Sequence, residues 1–173
     1  MDAFLQIVDG WHDFYHVIGD ASAALIGLLF VSLSLNADVI IKKSNRDLLL
    51  LAGQTFMSYF CVLMYAIIFL IPNQGPKGLG LPMLGINLIV LGVSIDRIRR
   101  IRKKQSRSLL LGGILHALIV PTICFIAVIA ISISILMGET SSLYWFVPVI
   151  ILLLFHSSIN AWNLLLRLRE TKT

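Results

Sequence analysis

Of 173 residues, 58% are hydrophobic and only 13% are charged, with a mean hydropathy of +0.91. A water-soluble domain surrounds its core with charged residues amounting to roughly a quarter of the chain, so this composition excludes an ordinary soluble domain and makes lipid the solvent. The net charge of +5 is bunched beside long apolar runs, which argues against nucleic-acid binding and for an orientation signal with contacts to anionic headgroups.

Residues 1–14 contain Asp2, Asp9 and Asp13 but no Lys or Arg. A cleaved secretory signal needs a positive segment ahead of its apolar core, so the first apolar stretch is expected to remain as a span, over 14–35. Further spans are expected at 48–71, 78–95, 109–137 and 143–166. Each crosses about 30 Å of hydrocarbon at about 1.5 Å per residue, and only helices satisfy the backbone there. The third is the weakest: short and glycine-rich, with Pro82 in its first turns and Asn87 near its middle. The fourth is longer than needed. It starts in the headgroups, tilts, or bends at Pro121, whose missing N–H leaves the Ala117 carbonyl without its usual partner.

The loop charges give an independent count. Lys42, Lys43 and Arg46 lie between spans one and two, and Arg167, Arg169 and Lys172 follow span five. Between spans three and four lie Arg97, Arg99, Arg100, Arg102, Lys103, Lys104 and Arg107. All but one of the 14 basic residues thus fall on one side; the other keeps Lys77 beside Asp2, Asp9, Asp13 and Glu139. The positive-inside rule then gives an all-α, polytopic transmembrane bundle of five spans, N-terminus out and C-terminus in. The whole of 1–173 is one integral domain of the bacterial inner membrane. Trp11, Tyr15, Tyr144 and Trp145 mark the outer boundary and Trp162 the inner one. Cys61 and Cys124 lie inside apolar runs, where they read as small buried hydrophobes rather than redox or metal groups.

The first span carries Gly19, Ala21, Ala24, Gly27, Phe30, Val31, Ser34 and Asn36. This resembles a widespread group of uncharacterised bacterial membrane proteins whose opening helix reads Gly-x-Ala-x-Ala-Leu-x-Gly-Leu-x-Phe-Val-x-x-Ser-x-Asn, with Ala24 shifted by one. Arg46 and the turn from Pro72 to Gly80 are similar to that group too. The resemblance covers roughly the first half of the chain and implies a class rather than a mechanism.

Several polar and small residues inside the spans are candidates for function. Gly19, Ala23 and Gly27 recur every four residues, a stripe that suits either packing within the chain or self-association. Gly113, Ala117 and Pro121 form a similar stripe on the fourth span. His12, His16 and Asp20 share a helix face, and a His pair at i, i+4 suits zinc. His12 and Asp20 are about 12 Å apart along the axis, however, so one ion does not take all three. The two histidines read otherwise as headgroup-zone anchors. Asp20 lies one to two turns deep and is expected to face protein, water or a partner such as His16.

Gln54, Asn87, His116 and His156, on four different helices, are expected at a similar depth in the inner half. They form either a hydrogen-bonded layer that fixes packing or the floor of a polar pathway. The basic run over 97–107 suits anionic lipid or an acidic partner; without interleaved aromatic residues it does not suit nucleic acid. No phosphate loop, nucleophile elbow or HExxH motif is present, and no cofactor is expected. The expected function is therefore a non-enzymatic component that self-associates or holds a membrane partner protein. The alternative is a homo-oligomeric channel or small-solute conduit.

Overall fold

A computed structural model describes residues 2–40, 46–104 and 111–170. Every element among them is a helix: α1 Asp2–Asp9, α2 His12–Leu35, α3 Ala37–Ile40, α4 Arg46–Leu70, α5 Pro76–Lys104, α6 Leu111–Leu136 and α7 Ser142–Glu170. Five of them, α2, α4, α5, α6 and α7, are long and apolar enough to cross a membrane. Several hydroxyls inside these helices are satisfied locally. Ser22 donates to the Ile18 carbonyl at 2.7 Å, Thr55 to Leu51 at 2.9 Å and Ser132 to Val128 at 2.7 Å. In hydrocarbon such bonds remove the need for a partner on another helix.

The turns at one end are set by local chemistry. Gly138 takes a φ of +88°, its N–H bonds to Ile135 at 2.9 Å and the Glu139 N–H bonds to Ser134 at 3.1 Å. This pattern closes α6 and needs a residue without Cβ. At the α4–α5 turn Asn73 adopts a φ of 58°, and the Gln74 side chain donates to the Ile68 carbonyl at 3.0 Å. Pro76 then opens α5, where its missing N–H costs nothing.

The α4 helix packs chiefly on α2 and α7, and α6 chiefly on α5 and α7, with lighter contacts from α4 to α5 and α6. Thus α4, α7, α6 and α5 form a ring, and α2 leans on the outer side of α4. Its span is the least enclosed, 22% buried against 56% for α4. Two glycines allow close approach. A Cβ on Gly19 would lie 3.2 Å from the Ala66 Cβ, and one on Gly80 would lie 2.7 Å from the Leu136 Cγ and 3.2 Å from the Ser132 carbonyl. Cys61 and Cys124 are both buried, free thiols.

Four features differ from the sequence expectations. The N-terminal segment forms the helix α1, whose Phe4 and Val8 are buried in the main apolar cluster. Tyr15 is a core residue, 1% exposed and stacked on Phe69 at 3.9 Å, rather than a boundary anchor. The third span is not short: it covers Pro76–Arg100, because Pro82 sits on an exposed face and does not interrupt the helix. Finally, the basic run is helical through Lys104 rather than a loop. Arg and Lys are good helix formers, cations favour a helix C-terminus, and Asp96 pairs with Arg100 one turn on at 2.6 Å. The α6 helix runs on through Pro121.

Candidate functional site

Polar groups inside the spans fall into two sets, one on the outside of α2 and one inside the ring. A helix turns about 100° per residue. On α2 this places the buried residues Tyr15, Ile18, Gly19, Ser22 and Leu29 toward α4. His12, His16, Asp20, Ala23 and Gly27 are exposed, and Asp20 falls near the middle of the exposed arc. The stripe of small residues is therefore divided: Gly19 packs against Ala66, while a Cβ on Gly27 would meet open space. The His12 and His16 rings lie 4.9 Å apart, edge to face. Among the described residues, no group of three His, Cys, Asp or Glu side chains comes together to hold a metal.

Asp20 does not face the protein interior. The α4 surface that receives α2 at this level presents Ala66 and, through Tyr15, Phe69. Neither side chain offers a hydrogen-bond donor, so a carboxylate turned inward would lose its solvation without compensation. Within this one chain Asp20 is left pointing away from the bundle.

The expected inner layer resolves into separate pairs. Asn87 is fully buried; its Oδ1 accepts from the Tyr65 hydroxyl at 2.6 Å, and its Nδ2 donates to the Met83 carbonyl at 2.7 Å. Gln54 accepts through Oε1 from the half-buried Arg97 guanidinium at 3.4 Å, while its Nε2 has no partner. His116 and His156 pair with ring centroids 5.5 Å apart. The His156 ring also hydrogen-bonds the Ala117 backbone, and its Nε2 is left unpartnered. The four residues thus serve three different contacts, two between α4 and α5 and one between α6 and α7. They do not share one depth: Gln54 and the Tyr65 that meets Asn87 are about 16 Å apart along α4.

Two tyrosines absent from the sequence expectations contribute as well: Tyr65, and Tyr59, whose hydroxyl donates to Ser158 at 3.0 Å. A signal was present for the first. Gln54, Ser58, Cys61 and Tyr65 recur at i, i+4, i+7 and i+11, one buried stripe down α4 that faces other helices. Buried Ser157 and Asn160 on α7 carry further unpartnered polar atoms.

At the basic end Arg97 is half-buried, and Arg99, Arg100 and Arg169 are exposed. Arg102, Lys103 and Lys104 continue the helical backbone of α5, and Arg107 lies outside the described residues. Lys77 sits exposed near the start of α5, at the opposite end.

No protein-family model, curated protein or solved structure matches this chain.

Proposed function

We propose that the protein is a non-enzymatic component of the bacterial inner membrane that acts by association, with a second copy of itself or with a partner protein, through the outer face of α2. The observation that carries this reading is the exposure of Asp20. Eight residues separate it from His12 at the start of the span, about 12 Å along the axis. A carboxylate facing acyl chains there costs roughly 2.5–3.5 kcal/mol on insertion scales. A neighbouring helix removes that cost by supplying a donor, and in a second copy His16 lies one turn from Asp20 on the same face. Ala23 and Gly27 on that face let the two backbones approach closely, where dispersion contacts hold helices together in lipid.

In the bilayer, the N-terminus faces out and the basic ends of α5 and α7 face the cytoplasm, following the distribution of Lys and Arg. Native mass measurement after mild extraction tests the central claim. A defined multimer of this chain, or a stoichiometric complex with another protein, is expected, and Asp20→Leu and Gly27→Leu should each release the monomer. A wild-type monomer carrying only lipid would overturn it.

The same face supports a second reading as a homo-oligomeric conduit. Inside one chain the centre of the ring is filled by Tyr65, Phe125 and Phe146, each fully buried. A passage would then run between copies, beside Asp20 and His16. Ion flux in proteoliposomes that vanishes with Asp20→Ala would favour it over simple association.

A further inference from the structure

Because α2 leans on α4 and barely meets α7, a crevice of about 200 Å³ remains between α2 and α7. Its walls are Leu25, Leu28 and Leu29 on one side and Trp162 and Leu165 on the other. Leu28 and Trp162 are 68% and 63% exposed, so the crevice opens sideways, out of the bundle. Its floor is the Tyr59–Ser158 pair. Both hydroxyls there are engaged, since Ser158 donates in turn to the Leu154 carbonyl at 2.9 Å. The Ser32 hydroxyl, which also lines the crevice, is the one buried polar group there without a partner among the described residues; the rest of the lining is apolar or satisfied.

All the lining residues lie within helices that span the membrane, from about the middle, where Tyr59 sits, toward the basic end. What meets the opening is hydrocarbon. An empty slot would forfeit dispersion contacts along both walls. A helix, about 10 Å across with its side chains, is too wide for a crevice of this volume; a single acyl chain is not. Arg169 lies four residues beyond Leu165 and seven beyond Trp162, on the same face of α7 and about 6 Å closer to the basic end. It is exposed, and it stands where the headgroup of a lipid seated in the crevice would emerge.

We infer that the α2–α7 crevice binds one acyl chain of an anionic phospholipid from the leaflet at the basic end, with the lipid phosphate held by Arg169. This site is separate from the Asp20 face, which lies on a different side of α2.

Trp162 provides the readout. With Trp11→Phe and Trp145→Phe in place, it is the sole tryptophan. That protein is reconstituted in phosphatidylcholine vesicles, and the bromine-labelled acyl chains of either phosphatidylglycerol or phosphatidylcholine are titrated in. Brominated phosphatidylglycerol should quench at about fivefold lower mole fraction, the preference expected of one arginine at a membrane surface. Arg169→Gln should abolish that preference without changing the oligomeric state. Ala161→Leu, which fills the crevice, should remove the preferential component and leave only quenching by bulk lipid. Equal quenching of the unaltered site by both lipids would overturn the inference, and so would a preference that survives Arg169→Gln. Protection of Trp162 from both lipids would overturn it in favour of a protein contact. A monomeric protein that still shows the preference would sink the association reading and leave this one standing.

Discussion

The His156 ring on α7 hydrogen-bonds the backbone of Ala117 on α6, four residues before Pro121. In a helix the N–H of residue i bonds to the carbonyl of i−4, and proline has none to give. The carbonyl stranded by Pro121 is thus the one a buried imidazole on the neighbouring helix reaches. An unsatisfied carbonyl in a bilayer costs several kcal/mol, so the proline and the histidine are energetically linked.

That linkage predicts non-additivity. His156→Leu should destabilise the protein by about 1 kcal/mol, the range of interhelical hydrogen bonds in membranes. In a Pro121→Ala background, where position 121 regains its N–H, the same change should cost measurably less. Unfolding by denaturing detergent across the double-mutant cycle measures the coupling, and strict additivity would break the link.

The Tyr65–Asn87 bond, 2.6 Å long and wholly buried, ties α4 to α5 where the two helices otherwise touch lightly. Tyr65→Phe should lower stability by about 0.6–1.7 kcal/mol. Asn87→Leu should cost at least as much, since it strands the Tyr65 hydroxyl just as Tyr65→Phe strands the Asn87 Oδ1. In the Tyr65→Phe background Asn87→Leu should therefore be milder, again by detergent unfolding.

Glycines of one chain are expected to respond in opposite ways. Gly80→Ile forces α5 away from the Ser132 carbonyl, and Gly19→Ile forces α2 away from Ala66. Each should destabilise the fold by about 1–3 kcal/mol through overpacking. Gly27→Ile meets open space, so it should leave the stability of the single chain within about 0.5 kcal/mol and act only on association. Thermal melts in detergent, read beside the oligomeric state, separate the two effects.

Orientation is open to direct measurement. A reporter active only in the periplasm should be silent when fused after Thr173. Ser141→Cys, in the exposed turn between α6 and α7, should react with an impermeant maleimide added to intact cells. Labelling only after lysis would reverse the assignment.

The spans were legible because hydropathy and flanking charge act along the chain, and depth in a bilayer is itself a linear coordinate. Depth alone put Gln54, Asn87, His116 and His156 together. The register and rotation of each helix against its neighbours separate them, with Gln54 level with Arg97 and Asn87 level with Tyr65, and neither property is written in one segment's hydropathy. Asp20 was legible as an unusual charge but not as an outward one, because the apolar character of the α4 surface opposite it is a tertiary fact. The α1 helix escaped for a different reason. Eight residues are too few to register as a span, although Phe4, Ile7 and Val8 already show i, i+3, i+4 spacing. The tilt or bend expected around Pro121 missed the interhelical bond to Ala117, since one helix does not reveal what its neighbour donates.

Trp11, between α1 and α2, packs edge to face on Tyr144 of α7 at 5.3 Å. Phe4 and Val8 share their apolar cluster with Leu143 and Phe146 of that same last helix. The α1 helix therefore finds its resting place only after α7, with four spans between them in the chain, has been inserted. Seating α1 is thus a late step of assembly, and a bulky insertion just ahead of it should trap an unfinished molecule in which the five spans are already threaded.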